Sequence, residues 1–143
     1  MTSPLCPDAS VVLGLVTGFD RADAVRAALD EAVEHGGRLV APALIGYEVA
    51  NGLHRYVVAG SLTSGEAREA LDAALGLGIE AFLDPTLHTR ALAIAAELGQ
   101  AAAYDAHYLA VAEAHAARLL TVDRQLAGRA ERLGVPVVRL DLA

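Results

Sequence analysis

Four acidic residues stand out by type and position: Asp8, Glu48, Asp105 and Asp123. Asp8 and Asp123 each follow a short apolar run and precede a helical pattern. Asp105 opens an apolar helix, and Glu48 lies in the middle of another. An Asp that starts a helix also accepts backbone N–H bonds as a cap, which alone accounts for Asp8 and Asp123. Asp105 is equally served by the helix dipole in a first turn. Glu48 caps nothing. Ile45, Val49, Gly52, Leu53 and Tyr56 form the apolar stripe of its helix, and Glu48 lies on the flank with Leu44, Asn51 and Arg55. A surface contact with Asn51 or Arg55 is the plain alternative for it. Two carboxylates about 4 Å apart repel by roughly 4 kcal/mol at an effective dielectric of about 20. A cluster of four therefore needs protons or a cation. An oxygen-only set suits Mg2+ or Mn2+. The histidines have no metal-ligand spacing, and Cys6 has no partner cysteine, which argues against zinc.

The elements that must position these residues follow from the pattern of the chain. A short strand near Leu5 leads through Asp8 into a helix to Thr17. Asp20 is a plausible cap for a helix ending at His35, before Gly36-Gly37. A strand over 38–41 follows, then a helix opened by Pro42 and running to Ala59. Thr63 or Ser64 caps a helix that stops near Gly76 to Gly78. A strand over 79–83 precedes Asp84-Pro85, a cap-then-proline start to a helix ending near Gly99. A helix over 104–117, a strand over 118–122, a helix from Asp123 to Gly134 and a strand over 135–140 complete the chain. Strands separated by helices imply a parallel sheet covered on both faces, with sites beyond the carboxyl ends of the strands. The 143 residues fit one domain, 1–143.

Composition narrows the function. The net charge of −7 argues against broad electrostatic binding of nucleic acid, though a bound cation would reverse the local sign. All eleven basic residues are Arg, so chemistry that needs a lysine amine is excluded. The single cysteine makes the cytoplasm the expected compartment. No window of about 18 residues is free of charge, so a soluble protein without membrane spans or a leader is expected.

Asp8-Ala-Ser after the first strand, Glu48, Tyr104-Asp105-Ala106 opening a late helix and Thr121-Val122-Asp123 after a strand together resemble the PIN domain, and within it the VapC toxins of bacterial toxin–antitoxin pairs. The resemblance covers essentially the whole chain. It implies a Rossmann-like three-layer α/β/α sandwich with a central, mainly parallel sheet. It also implies an Mg2+- or Mn2+-dependent endoribonuclease in which Asp8, Glu48, Asp105 and Asp123 are catalytic and hold the metal. Thr121, Ser10 and Asn51 become candidates for orienting those carboxylates. A cognate antitoxin, an RNA substrate and a homodimer or toxin–antitoxin hetero-oligomer are implied as partners. Arg21, Arg26, Arg55 and Arg124 are candidate RNA contacts. Pro4 and Pro7 depart from the uninterrupted first strand usual in the family. Two other readings stand beside this one. One is a catalytically silent PIN-like binding module. The other is a phosphoacceptor receiver-like domain, which the absence of lysine disfavours.

Overall fold

The protein, in a computed structural model, is described over residues 3–19 and 21–140. Five short strands alternate with seven helices among the described residues: β1 (Leu5–Pro7), α1 (Ala9–Thr17), α2 (Ala22–Glu34), β2 (Val40–Pro42), α3 (Leu44–Val58), α4 (Ser64–Leu75), β3 (Glu80–Phe82), α5 (Pro85–Glu97), α6 (Tyr104–Ala114), β4 (Arg118–Thr121), α7 (Arg124–Leu133) and β5 (Val137–Arg139). All strand pairings are parallel. β1-β4-β5 form one ladder and β2-β3 another, and one bridge, Leu5 to Leu39, joins them into the order β3-β2-β1-β4-β5. The expected α/β/α sandwich is what forms.

Two prolines explain the single bridge. Leu5 donates its N–H toward β2, to Arg38, so Pro7, two residues on, would have to donate on the same side. Ala43 donates toward β3, to Phe82, so the preceding Pro42 faces β1. Neither proline has an N–H to give, and the β1–β2 ladder stops where they meet.

Alternation along the strands sends residues to two cores. Leu5, Leu39 and Leu120 pack with Val11, Leu15, Val25 and Leu29 of α1 and α2. Cys6, Val40 and Leu119 pack on the opposite face with Ile94, Leu109, Leu126 and Ala130 of α5, α6 and α7. Buried Ala106, Ala110 and Ala112 let α6 lie close against β1, β2 and β4. There the Cys6 thiol reaches the Tyr108 carbonyl at 3.7 Å. That thiol is buried, which pushes its pKa up and leaves it a packing group.

Several element boundaries differ from expectation. Pro42 closes β2 instead of opening α3, because the next residue, Ala43, still spends its N–H on the ladder to Phe82. α6 ends at Ala114, three residues early. Ala116 turns left-handed at φ 51°, and Ala117 donates back to Ala112 at 2.8 Å. That is the glycine-type helix stop made by an alanine. Arg21, also left-handed, occupies the position before α2, and the Asp20 cap lies outside the described residues. The cap at Thr63 forms with a reciprocal bond from Glu66.

Candidate functional site

In an open parallel sheet, the crevice lies where the chain switches direction across the strand order. Here that point lies between β1 and β4. Asp8 follows β1 and Asp123 follows β4 by two residues, so both sit at that edge.

Asp8 is the N-cap of α1, and it is also only 5 % exposed. Its Oδ1 accepts bonds from the Ser10 hydroxyl at 2.7 Å and the Val11 N–H at 3.1 Å. Its Oδ2 accepts the Thr121 hydroxyl from β4 at 2.6 Å. Burial raises its pKa even so; these hydrogen bonds oppose the shift, and the charge of Asp123 adds to it. Thr121 is buried as well and accepts the Asp123 N–H at 2.9 Å, so one hydroxyl fixes both acidic residues. Asp123 caps α7 through Oδ1, which accepts from Gln125 and Leu126. Its Oδ2 is not spent on the cap.

Glu48 comes from α3, on the β2 side. It is half-buried, and its Oε1 accepts the Tyr108 hydroxyl at 2.6 Å. Burial raises its pKa; the Tyr108 bond opposes this, while the charges of Asp105 and Asp8 reinforce it. Asp105 stands in the first turn of α6, with Ala103 in the cap position. Its Oδ2 pairs with Arg129 of α7 at 2.9 Å. Burial again raises the pKa, Arg129 offsets part of that, and Asp123 adds to it.

Asp8 repels Asp123, Asp123 repels Asp105, Asp105 repels Glu48, and Glu48 repels Asp8. The four carboxylates thus close a ring of mutual repulsion. They share one patch, yet each turns to its own protein partner. Among the described residues no three His, Cys, Asp or Glu side chains are placed so that together they could hold a metal ion.

The sequence matches the PIN domain family model over residues 5–132. The chain belongs to the PIN domain family. Its fold is shared with PAE2754 from Pyrobaculum aerophilum at a TM-score of 0.69 and 28% identity, covering 95% of this chain and 84% of that one. FitAcB from Neisseria gonorrhoeae superposes at a TM-score of 0.60 and 21% identity, covering 94% and 96%. A domain of a functionally unknown protein from Methanocaldococcus jannaschii does so at 0.56 and 20%, covering 99% and 94%. At such identities the last two speak to fold alone. No curated protein matches the sequence.

PIN domains are generally nucleases and usually bind divalent metal. The acidic patch of this chain offers oxygen ligands only, and burial plus mutual repulsion strain three of its carboxylates toward the protonated state. Thr121 and Ser10 hold Asp8 as the sequence suggested. Asn51 is exposed on α3 and is not joined to Glu48 by a hydrogen bond among the described residues. Two residues of the patch escaped the sequence reading. Tyr108 follows Asp105 by one helical turn, so spacing places it on the same face. Arg129 carried no such signal, and its guanidinium pairs with Asp105. Among the described residues, no helix is long and apolar enough to cross a membrane.

Proposed function

We propose that this PIN domain is a metal-dependent endoribonuclease acting as the toxin of a type II toxin–antitoxin pair, with Asp8, Glu48, Asp105 and Asp123 as its metal-binding catalytic residues. The observation that supports the reading is the convergence of four carboxylates from four separate elements on the β1–β4 switch point, close enough to repel one another. Asp8 is buried and Glu48 and Asp105 are partly buried there, an arrangement of like charges that a bound cation would relieve. The four residues would hold Mg2+ or Mn2+, which when bound acidifies a water and neutralises charge on a scissile phosphate. The chain's own groups do the positioning. Thr121 ties Asp8 to Asp123, Ser10 fixes the other Asp8 oxygen, and Tyr108 aims Glu48. No protein nucleophile is required. The resemblance to VapC toxins supports an RNA substrate, a cognate antitoxin, self-association into a homodimer or toxin–antitoxin hetero-oligomer, and a cytoplasmic location.

The test is cleavage of RNA by the purified protein in Mg2+ or Mn2+, beside Asp8→Asn and Asp105→Asn. Loss of cutting in both variants is the expected result, and undiminished cutting in both overturns the assignment. One observation favours a second reading, a silent binding module: Arg129 already supplies a cation to Asp105. Calorimetric titration with Mn2+ discriminates between them, since a silent module need not bind the ion.

A further inference from the structure

Arg38, Arg90 and Arg139 each lay the Nε–Nη2 edge of the guanidinium on one carboxylate, that of Glu80, Glu113 and Glu131. That edge offers two parallel donors, the arrangement that fits a carboxylate or a phosphate. All three pairs are exposed. Arg129 is bonded differently. It meets Asp105 through Nη1 alone, at 2.9 Å. Among the described residues its Nε and Nη2 have no protein partner. Both nevertheless reach solvent, since no described side-chain donor is sealed inside without a partner. The side chain is only 23% exposed. Leu126, Ala127 and Ala130 seat α7 in the core, and Arg129 stands on the flank that meets the start of α6. Its two-donor edge is therefore held beside the acidic patch and left open.

Resting on the nuclease reading above, we propose that Arg129 has two positions: it covers Asp105 while the patch holds no cation, and it turns its Nε–Nη2 edge to the substrate phosphate once Asp105 is a metal ligand. Charge calls for such a residue. One dication balances only two of the four carboxylates, and a phosphate diester brings a further negative charge to the same place. The chain has no Lys, so the cation that offsets the excess must be an arginine. Arg129 already touches one of the four carboxylates, and a guanidinium stays charged in either position. The Asp105 oxygen that Arg129 occupies is a ligand atom in the nuclease reading, so guanidinium and metal compete for it. Metal and phosphate, by contrast, favour the same position of Arg129. Each therefore strengthens the binding of the other, and by the same factor.

The probe is a short fluorescein-labelled oligodeoxyribonucleotide, which carries the phosphate diesters that the contact needs. Anisotropy follows its binding in saturating Mn2+ and in EDTA. In Mn2+, Arg129→Gln should weaken binding about tenfold, as for the loss of a charge-assisted hydrogen bond. The slope of log affinity against log salt should flatten by about 0.7, the share of one phosphate contact on a single strand. In EDTA the two proteins should bind alike, because Arg129 is then engaged with Asp105. An equal loss in EDTA would make Arg129 a structural support, and no loss in Mn2+ would remove the phosphate contact; either result overturns the proposal. Arg129→Lys keeps the charge without the two-donor edge and should recover only part of the loss. Full-strength binding by this variant also overturns the proposal, and the lysine variant decides the matter should the glutamine one fail to fold. Cleavage of RNA is read separately. Binding that needs Arg129 only in Mn2+, without cutting, keeps this role and sinks the nuclease. Cutting that Arg129→Gln leaves unchanged does the reverse.

Discussion

Asp8 and Asp84 perform the same local task in different places. Each follows a strand, each adopts an extended backbone, and each caps the next helix through a side-chain oxygen. Asp84 sits at the end of the edge strand β3, exposed, and its bonds to Thr86 hold its pKa below the usual range. Asp8 sits at the end of the central strand β1, where burial pushes its pKa the other way. What separates them is the neighbouring strand. β4 brings Thr121 to the second oxygen of Asp8 and places Asp123 close by. A capping motif is thus only local information, and the strand order decides whether the carboxylate is left over for chemistry.

The sharpest way to break this comparison is to neutralise each residue in turn. Asp8→Asn should lower RNA cleavage at least ~100-fold, more than the loss of a residue that merely orients a ligand, while Asp84→Asn stays within about twofold. Equal losses would mean that Asp8 is only a cap. Thermal melting extends the test. Mn2+ at about 100 times its Kd should raise the Tm of the unaltered protein and of Asp84→Asn by about 5–10 °C, and leave an Asp8→Asn/Asp105→Asn double variant unmoved.

A subtler variant keeps every carboxylate. Thr121→Val removes the hydroxyl that joins Asp8 to Asp123 and should weaken Mn2+ binding, measured by calorimetry, by roughly 10- to 100-fold. Removing the Thr63 hydroxyl by Thr63→Ala should leave metal binding unchanged and cost about 1 kcal/mol of stability in urea melts. Arg129→Gln, which takes the competing charge off Asp105, should tighten Mn2+ binding a few-fold. Weaker binding would instead make Arg129 a support of the patch.

The sequence was readable where chemistry is local. Thr63 with Glu66, Asp84 with Pro85 and Gly134 after α7 mark helix ends within a few residues of chain, and the structure follows them. The alternation of strands and helices sufficed for the parallel sheet, and the acidic residues could be picked by their order. What the sequence hid depends on distant partners. Pro42 has the form of a helix opener, but a ladder bond from its neighbour to β3 keeps it in the strand. Ala116 shows nothing of the left-handed turn that shortens α6. Tyr108 meets Glu48 across 60 residues and Arg129 meets Asp105 across 24, contacts that only packing creates.

The prolines that interrupt the sheet bear on how wide the acidic site is. Asp8 and Asp123 are carried by one hydrogen-bonded ladder, and Glu48 follows the other, with a single bridge between. Backbone bonding therefore does not set the span from Glu48 to Asp8. Helix packing does: α1, which Asp8 caps, lies directly on α3, and α6 crosses β1, β2 and β4 with its Tyr108 hydroxyl on Glu48. The distance between those two carboxylates is thus fixed by side-chain packing between helices and not by the backbone ladder.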